Sequence, residues 1–307
     1  MKTGTVPHLD TPVSRLVCGT DWMILVPPQD SFKALDAYWA AGGRTFDCAH
    51  TYGANTSIFA AWLNHRQIGD DVVILDKVAH PAWINGAMQK RVSRAAIREE
   101  VERNHDRLRR GVTDLLVLHR DDPDVPVGEI VEWLNELKDE GRVRVFGASN
   151  WTHERIGAAN DYAVQNGKQG FSLDNPNLTL AHNREPLWDD CLTIGESGRQ
   201  WHERTQLPLF SWSSTARGYF ARSEDPDIIR AYDNPTSRAR RDRAESFGKE
   251  RGLSATQVAL AWVLTQPFPT FALSGLRTPE NVKENVAALD LELSPEDVRW
   301  LEHGNPP

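Results

Sequence analysis

The sequence predicts an α/β fold, a single (β/α)8 barrel of the TIM-barrel class, on three observations. Short β-branched or apolar runs alternate with segments of helical period from residue 14 onward, eight such runs occur, and no linker breaks the rhythm. A doubly wound sheet would need a reversal of strand order, which this repetition does not suggest. The whole chain, 1–307, therefore reads as one domain.

The first three strands are expected over 15–19, 45–49 and 72–78. Ser93 then opens a helix, and 114–119 forms the fourth strand. Over 127–140, Val127, Ile130, Val131, Leu134 and Leu137 share one face of a helix that Gly141 ends. The fifth strand, 143–149, precedes a helix capped by Thr152, and strands six to eight follow at 171–175, 209–213 and 271–275. Residues 222–237, rich in Ser, Asp, Pro and Asn, read as a long loop after the seventh strand, on the face where such loops cover a site. Pro279 stands at a first-turn position before the stripe Val282, Val286 and Leu289.

Composition narrows the partners. Forty-three acidic against 35 basic residues give a net charge of −8, which works against binding a phosphate backbone, so no nucleic acid is expected. No long apolar run suggests a membrane span, and Met1 to Pro12 lack the features of a secretory signal. Cys18, Cys48 and Cys191 form no CxxC, and with no His pair at zinc spacing neither a disulfide framework nor a metal site is expected. A small-molecule substrate and a reducing, cytoplasmic location fit these features; the oligomeric state is not encoded in them.

In a barrel, catalytic groups gather at the C-terminal strand ends. That rule selects Asp47 and Tyr52 after the second strand, Lys77 near the end of the third and His119 at the end of the fourth. A phenol is a poor acid at neutral pH; a nearby ammonium favours its ionised form, and a carboxylate keeps a buried ammonium charged. Lys77 and Asp47 suit those roles, and a neutral His119 suits donation to a carbonyl oxygen. Each residue alone is more often structural, as a turn cap, a counter-charge or a backbone partner. Four of them at successive strand ends make the catalytic reading the better one.

In the run Phe46-Asp47-Cys48-Ala49-His50-Thr51-Tyr52-Gly53 and in its Asp, Tyr, Lys, His order, the chain resembles the aldo-keto reductases. The resemblance continues through Asp76-Lys77-Val78, Leu118-His119-Arg120, Gly147-Ala148-Ser149-Asn150, Ser211-Trp212-Ser213, Thr278-Pro279-Glu280-Asn281 and Glu284-Asn285. It implies an NADPH-dependent oxidoreductase that reduces an aldehyde or ketone reversibly, with Asp47, Tyr52, Lys77 and His119 as its catalytic tetrad. It further implies nicotinamide contacts from Ser149, Asn150 and Asn175, with the Trp212 ring stacked on the nicotinamide, adenine contacts from Glu284 and Asn285, and a place for Asp47 in the cofactor site. Gly19 and Thr20 complete the expected cofactor site, with Ser213, Gly218, Leu276, Arg277 and Thr278 around the phosphates. Asn281 stands where the family often has an Arg for the 2′-phosphate; Arg277 is placed to substitute, and NAD stays open beside NADP.

Asp21, Trp22, His50, Trp83, Arg120 and Trp151 fall in loops after strands and are expected to line the substrate pocket. Aromatic planes among hydrogen-bonding groups suit a sugar-derived carbonyl, hence a role in carbohydrate metabolism, while an unselective small-carbonyl reductase fits as well. Three other readings are a Schiff-base lyase using Lys77, a metal hydrolase using His50, His119 and Asp47, and a weakly active NADP-binding accessory subunit. The first leaves Tyr52 and Asp47 unexplained, the second lacks a paired HxH ligand motif on an early strand, and a full tetrad argues against the third.

Overall fold

The computed structural model describes residues 1–304. Its strands and helices follow in chain order. An N-terminal hairpin of β1 (Thr3–Val6) and β2 (Leu9–Ser14) leads into β3 (Leu16–Gly19), α1 (Pro28–Ala40), β4 (Thr45–Asp47), α2 (Ala54–Arg66) and β5 (Val73–Val78). A second hairpin, β6 (Ala82–Ile84) and β7 (Ala87–Gln89), precedes α3 (Arg94–Leu108), β8 (Thr113–Leu118), α4 (Val127–Asp139), β9 (Val143–Ser149) and α5 (His153–Gln165). Then come β10 (Asp174–Asn175), α6 (Glu196–Thr205), β11 (Leu209–Ser211), α7 (Pro226–Tyr232) and α8 (Pro235–Lys249). The described chain ends with α9 (Ala255–Leu264), β12 (Thr270–Ser274), α10 (Pro279–Ala288) and α11 (Pro295–His303).

Eight strands, β3, β4, β5, β8, β9, β10, β11 and β12, pair in parallel and close into a barrel. All eight lie within or one residue from the runs expected of them. Helices begin where the sequence supplies caps: Ser93 Oγ accepts from Ala96 N at 3.3 Å, Thr152 Oγ1 from Arg155 N at 3.3 Å and Thr278 Oγ1 from Asn281 N at 3.2 Å.

The segment 222–237 departs from the expected loop, because α7 and the start of α8 occupy most of it. Asp225-Pro226 and Asn234-Pro235 look like turn signals, but each is an N-cap followed by a first-turn proline. Asp225 Oδ1 accepts from Asp227 N at 2.9 Å and Asn234 Oδ1 from Ser237 N at 3.0 Å. Burial of Ile228, Ala231 and Tyr232 then holds α7 against the barrel.

Val17, Val73, Leu75, Leu115, Val117, Val145, Leu173, Phe210, Phe271 and Leu273 fill the barrel together with Val6, Leu9 and Val13 of the N-terminal hairpin. Each of these side chains is worth about 1.5–3 kcal/mol when fully buried. The hairpin thus plugs one end, and the other carries the βα loops. At Gly147 the neighbouring strand comes so close that a Cβ would overlap the Leu173 carbonyl oxygen, a backbone atom with no freedom to yield. Gly147→Ala is expected to lower stability by about 1–3 kcal/mol, read from the urea midpoint. An unchanged midpoint would contradict this packing.

Candidate active site

The two-residue period of a strand decides what reaches the barrel mouth. Leu75, Val117 and Phe210 point into the barrel, so Lys77, His119 and Trp212, two residues further on, project from the same face at its open end. Phe46 packs on the outside, which turns Asp47 inward. Asp76 likewise turns outward, where Asn104 Nδ2 of α3 donates to it at 2.7 Å. Burial pushes the Asp76 carboxyl up to about 7. Tyr52 ends a one-turn 3-10 helix, His50–Tyr52, fixed by its N–H donating to Ala49 O at 3.0 Å.

Asp47, Tyr52, Lys77 and His119 line one cavity of about 430 Å³. Lys77 is 2 % exposed and its ammonium has three acceptors: the Asp47 carboxylate in direct contact, Tyr52 Oη at 3.3 Å and Cys48 O at 3.4 Å. All three of its protons are thereby accommodated. The Tyr52 hydroxyl accepts from that ammonium and donates to Asp47 Oδ2 at 3.3 Å.

The sequence reading expected the ammonium to lower the phenol's pKa, and the structure reverses that direction. Desolvation first, then the charges of Asp47 and Asp21, hold Tyr52 well above the ordinary tyrosine value. The Lys77 charge is largely cancelled by the carboxylate in contact with it. Burial also raises the Asp47 carboxyl, with Lys77 opposing. Loss of solvation, reinforced by the charges of Lys77 and Arg120, holds His119 well below the usual histidine range, so its ring is neutral, with a buried Nδ1 that has no partner.

From this end the cavity runs on to α10. Gly19, Ser149, Asn150, Trp212, Ser213, Gly218, Arg277, Asn281, Glu284 and Asn285 all line it. Asn150 Oδ1 accepts from Trp212 Nε1 at 3.2 Å and from Leu192 N at 3.1 Å, tying the end of β9 to the ring that follows β11. Four expected cofactor residues are absent from the cavity lining, three of them because they are buried. Thr20 is buried and donates to Asp47 O at 2.8 Å; Leu276 is buried; Thr278 caps α10; Asn175 is fully buried beneath Ser149, with an unpartnered Oδ1. A half-buried indole face, the polar groups of Ser149 and Asn150 beside the tetrad, and the Arg277 cation at the far end fit an extended dinucleotide.

The expected substrate wall is largely different. Asp21 and Arg120 line the cavity, but Trp22 and Trp151 are each 1 % exposed and belong to the core. Trp22 Nε1 donates to Gly19 O at 2.6 Å, and Trp151 packs edge-on to Phe171. Trp83 lies on the β6–β7 hairpin, 71 % exposed and outside the cavity lining, while His50 is held by Asn104 at 3.0 Å. A tryptophan in a strand-following loop reads the same whether its ring turns into the core or into a pocket. Trp188, Cys191 and Arg217, which the sequence reading missed, supply that wall; the Arg217 guanidinium lies 5.0 Å from the Trp188 ring centre.

Residues 16–304 match the model of the aldo/keto reductase family. Among individual proteins, the chain is 28% identical to versiconal hemiacetal acetate reductase of Aspergillus parasiticus, over 89% of this chain and 86% of that one. It is 26% identical to norsolorinic acid reductase of Aspergillus flavus, over 90% and 71% of the two chains. It is also 26% identical to an aryl-alcohol dehydrogenase of Pestalotiopsis microspora, over 89% and 72%.

Proposed function

Since this chain belongs to the aldo/keto reductase family and is an oxidoreductase acting on small carbonyl compounds, we propose that it reduces an aldehyde or ketone reversibly with NADPH, Tyr52 giving the proton. The observation that carries this reading is the Asp47–Lys77–Tyr52 contact set in one cavity with neutral His119.

Ser149, Asn150 and Trp212 would hold the nicotinamide end, Ser213, Gly218 and Arg277 the phosphates, and Glu284 and Asn285 the adenine end. Arg277 is the basis for NADP over NAD. When bound, the reduced nicotinamide supplies hydride to the carbonyl carbon. His119 and Tyr52 orient the carbonyl oxygen, and the Tyr52 hydroxyl passes its proton to that oxygen as negative charge grows there. The adjacent Lys77 ammonium stabilises the phenolate left behind. By microscopic reversibility the same groups oxidise an alcohol.

A Schiff-base role for Lys77 is disfavoured, since an ammonium held by three acceptors has no lone pair to offer. A sugar-derived substrate rested on Trp22, Trp83 and Trp151; the aromatic wall of Trp188 and Trp212 favours a flatter, less hydroxylated body. The three free cysteines suit a cytoplasmic location.

With benzaldehyde as probe, NADPH should disappear one for one with benzyl alcohol formed. The profile of kcat/KM should be flat from about pH 6 to 8, without a limb at the ordinary histidine pKa of ~6.5. The sign follows from both shifts: His119 gains a proton only well below that range, and Tyr52 loses its own only above it. A step near 6.5 would contradict a neutral His119, and no NADPH consumption with any aldehyde would refute the function.

A further inference from the structure

Three cations of the cavity wall, Arg120, Arg217 and Arg277, lie outside the proton-delivery scheme, and of these Arg120 alone is buried. Arg120 follows His119 directly and lines the same space, yet it is only 9 % exposed. Its guanidinium makes one hydrogen bond within the protein, Nη1 to His119 O at 2.9 Å. Among the described residues it takes part in no ion pair. The two acids next to it in sequence are committed elsewhere: Asp121 pairs with Arg155 at 2.7 Å and Asp122 with Lys90 at 2.7 Å. A guanidinium has five N–H donors and does not deprotonate in proteins. A buried charge without a counter-charge destabilises the fold, and its retention at the wall of a pocket points to a ligand that completes it.

We propose that the substrate carries a carboxylate held by Arg120, so that the enzyme's preferred carbonyl compounds are aldehyde or keto acids. This rests on the reductase reading above and specifies its substrate class. The charge is matched to a monoanion, because the rings beside Arg120, His119 and His80, are both driven by desolvation toward the neutral form. One positive charge remains, on a planar fork whose geometry matches a carboxylate. Arg120 and Asp21 bring opposite charges to the same cavity. A substrate with a carbonyl at one end and an anion at the other is thereby oriented, its charged end drawn to Arg120 and repelled from Asp21, leaving the carbonyl toward Tyr52.

The probes are 4-formylbenzoate and its methyl ester, of similar shape and differing in one charge. The ester is the more electrophilic aldehyde, so intrinsic reactivity works against the expected preference. In the wild type, kcat/KM for the acid should exceed that for the ester by about 10- to 100-fold, the range of a hydrogen-bonded charge. Independently of turnover, 4-(hydroxymethyl)benzoate should bind the NADP-saturated protein at least about tenfold more tightly than its methyl ester in calorimetry. Arg120→Gln should abolish both preferences without lowering Tm, since it removes a buried unpaired charge, and Arg120→Lys should keep part of them.

Equal handling of acid and ester by the wild type overturns the proposal, a result that needs no variant, as does a preference that survives in Arg120→Gln. An Arg120-dependent preference for glyceraldehyde 3-phosphate over glyceraldehyde larger than that for the carboxylate overturns the carboxylate assignment. If the carboxylate binds through Arg120 but no carbonyl is reduced, the anion site stands and the reductase reading falls. If both aldehydes are reduced equally, the reverse holds.

Discussion

Lys77→Met is expected to lower the stability of the protein by about 3–5 kcal/mol and to abolish most of its turnover. The substitution keeps much of the side-chain volume but leaves Asp47, 4 % exposed, without the cation that touches it. Only the Tyr52 hydroxyl, at 3.3 Å, would still donate to that carboxylate from a side chain. Removing one partner of a buried pair costs far more than the pair itself contributes, because the remaining charge keeps its desolvation penalty. The unpaired carboxyl of the variant has its pKa raised above the unfolded value, so it takes up a proton on folding. Stability associated with such a group is present at low pH and lost as pH rises through the folded value. The deficit relative to wild type, measured by urea denaturation, should therefore shrink as pH falls from about 8 to 5. Adding Asp47→Asn to Lys77→Met should restore most of the stability and none of the turnover. A single variant as stable as wild type at pH 8 would mean that the pair is not buried as described.

Tyr52→Phe is expected to act in the opposite manner, removing about 10²–10⁴-fold of kcat with little effect on folding. Both hydrogen bonds of the hydroxyl are 3.3 Å long, and Lys77 keeps Asp47 and the Cys48 carbonyl when the hydroxyl goes. The ring stays, so the wall of the cavity keeps its shape. What disappears is the proton that Tyr52 holds for the carbonyl oxygen. Without it the alkoxide formed on the substrate has no donor except neutral His119. NADPH affinity should stay within about twofold, since a group used only in the transition state does not move ground-state binding.

These residues were legible in the sequence because strand geometry is simple. Once 72–78 and 114–119 read as strands, alternation alone sends Lys77 and His119 to the side filled by Leu75 and Val117. Ser149 and Trp212 reach the cavity by the same rule, whereas Asn150, the next residue after Ser149, lines it from a left-handed backbone with φ of 61° just past the strand. The two hairpins were not legible: β1, β6 and β7 are three or four residues long and mostly exposed, without an apolar alternation to mark them. Nor could local sequence tell Trp22 and Trp151, which close the core, from Trp188, which is 47 % exposed at the cavity. That difference depends on which neighbour fills the space behind the ring. The direction of the Tyr52 shift was misjudged for a related reason. The types of the three charged groups were readable, but not that Asp47 would sit against Lys77 and leave desolvation to dominate.

Proton delivery from Tyr52 is tested most directly by a single turnover. Wild type and Tyr52→Phe, each loaded with NADPH and shown to bind it equally by fluorescence titration, are mixed with excess aldehyde while nicotinamide absorbance is followed. The absorbance should fall rapidly in the wild type and about 10²–10⁴-fold more slowly in the variant. Decay in the variant within a few-fold of the wild-type rate would show that the proton comes from another group.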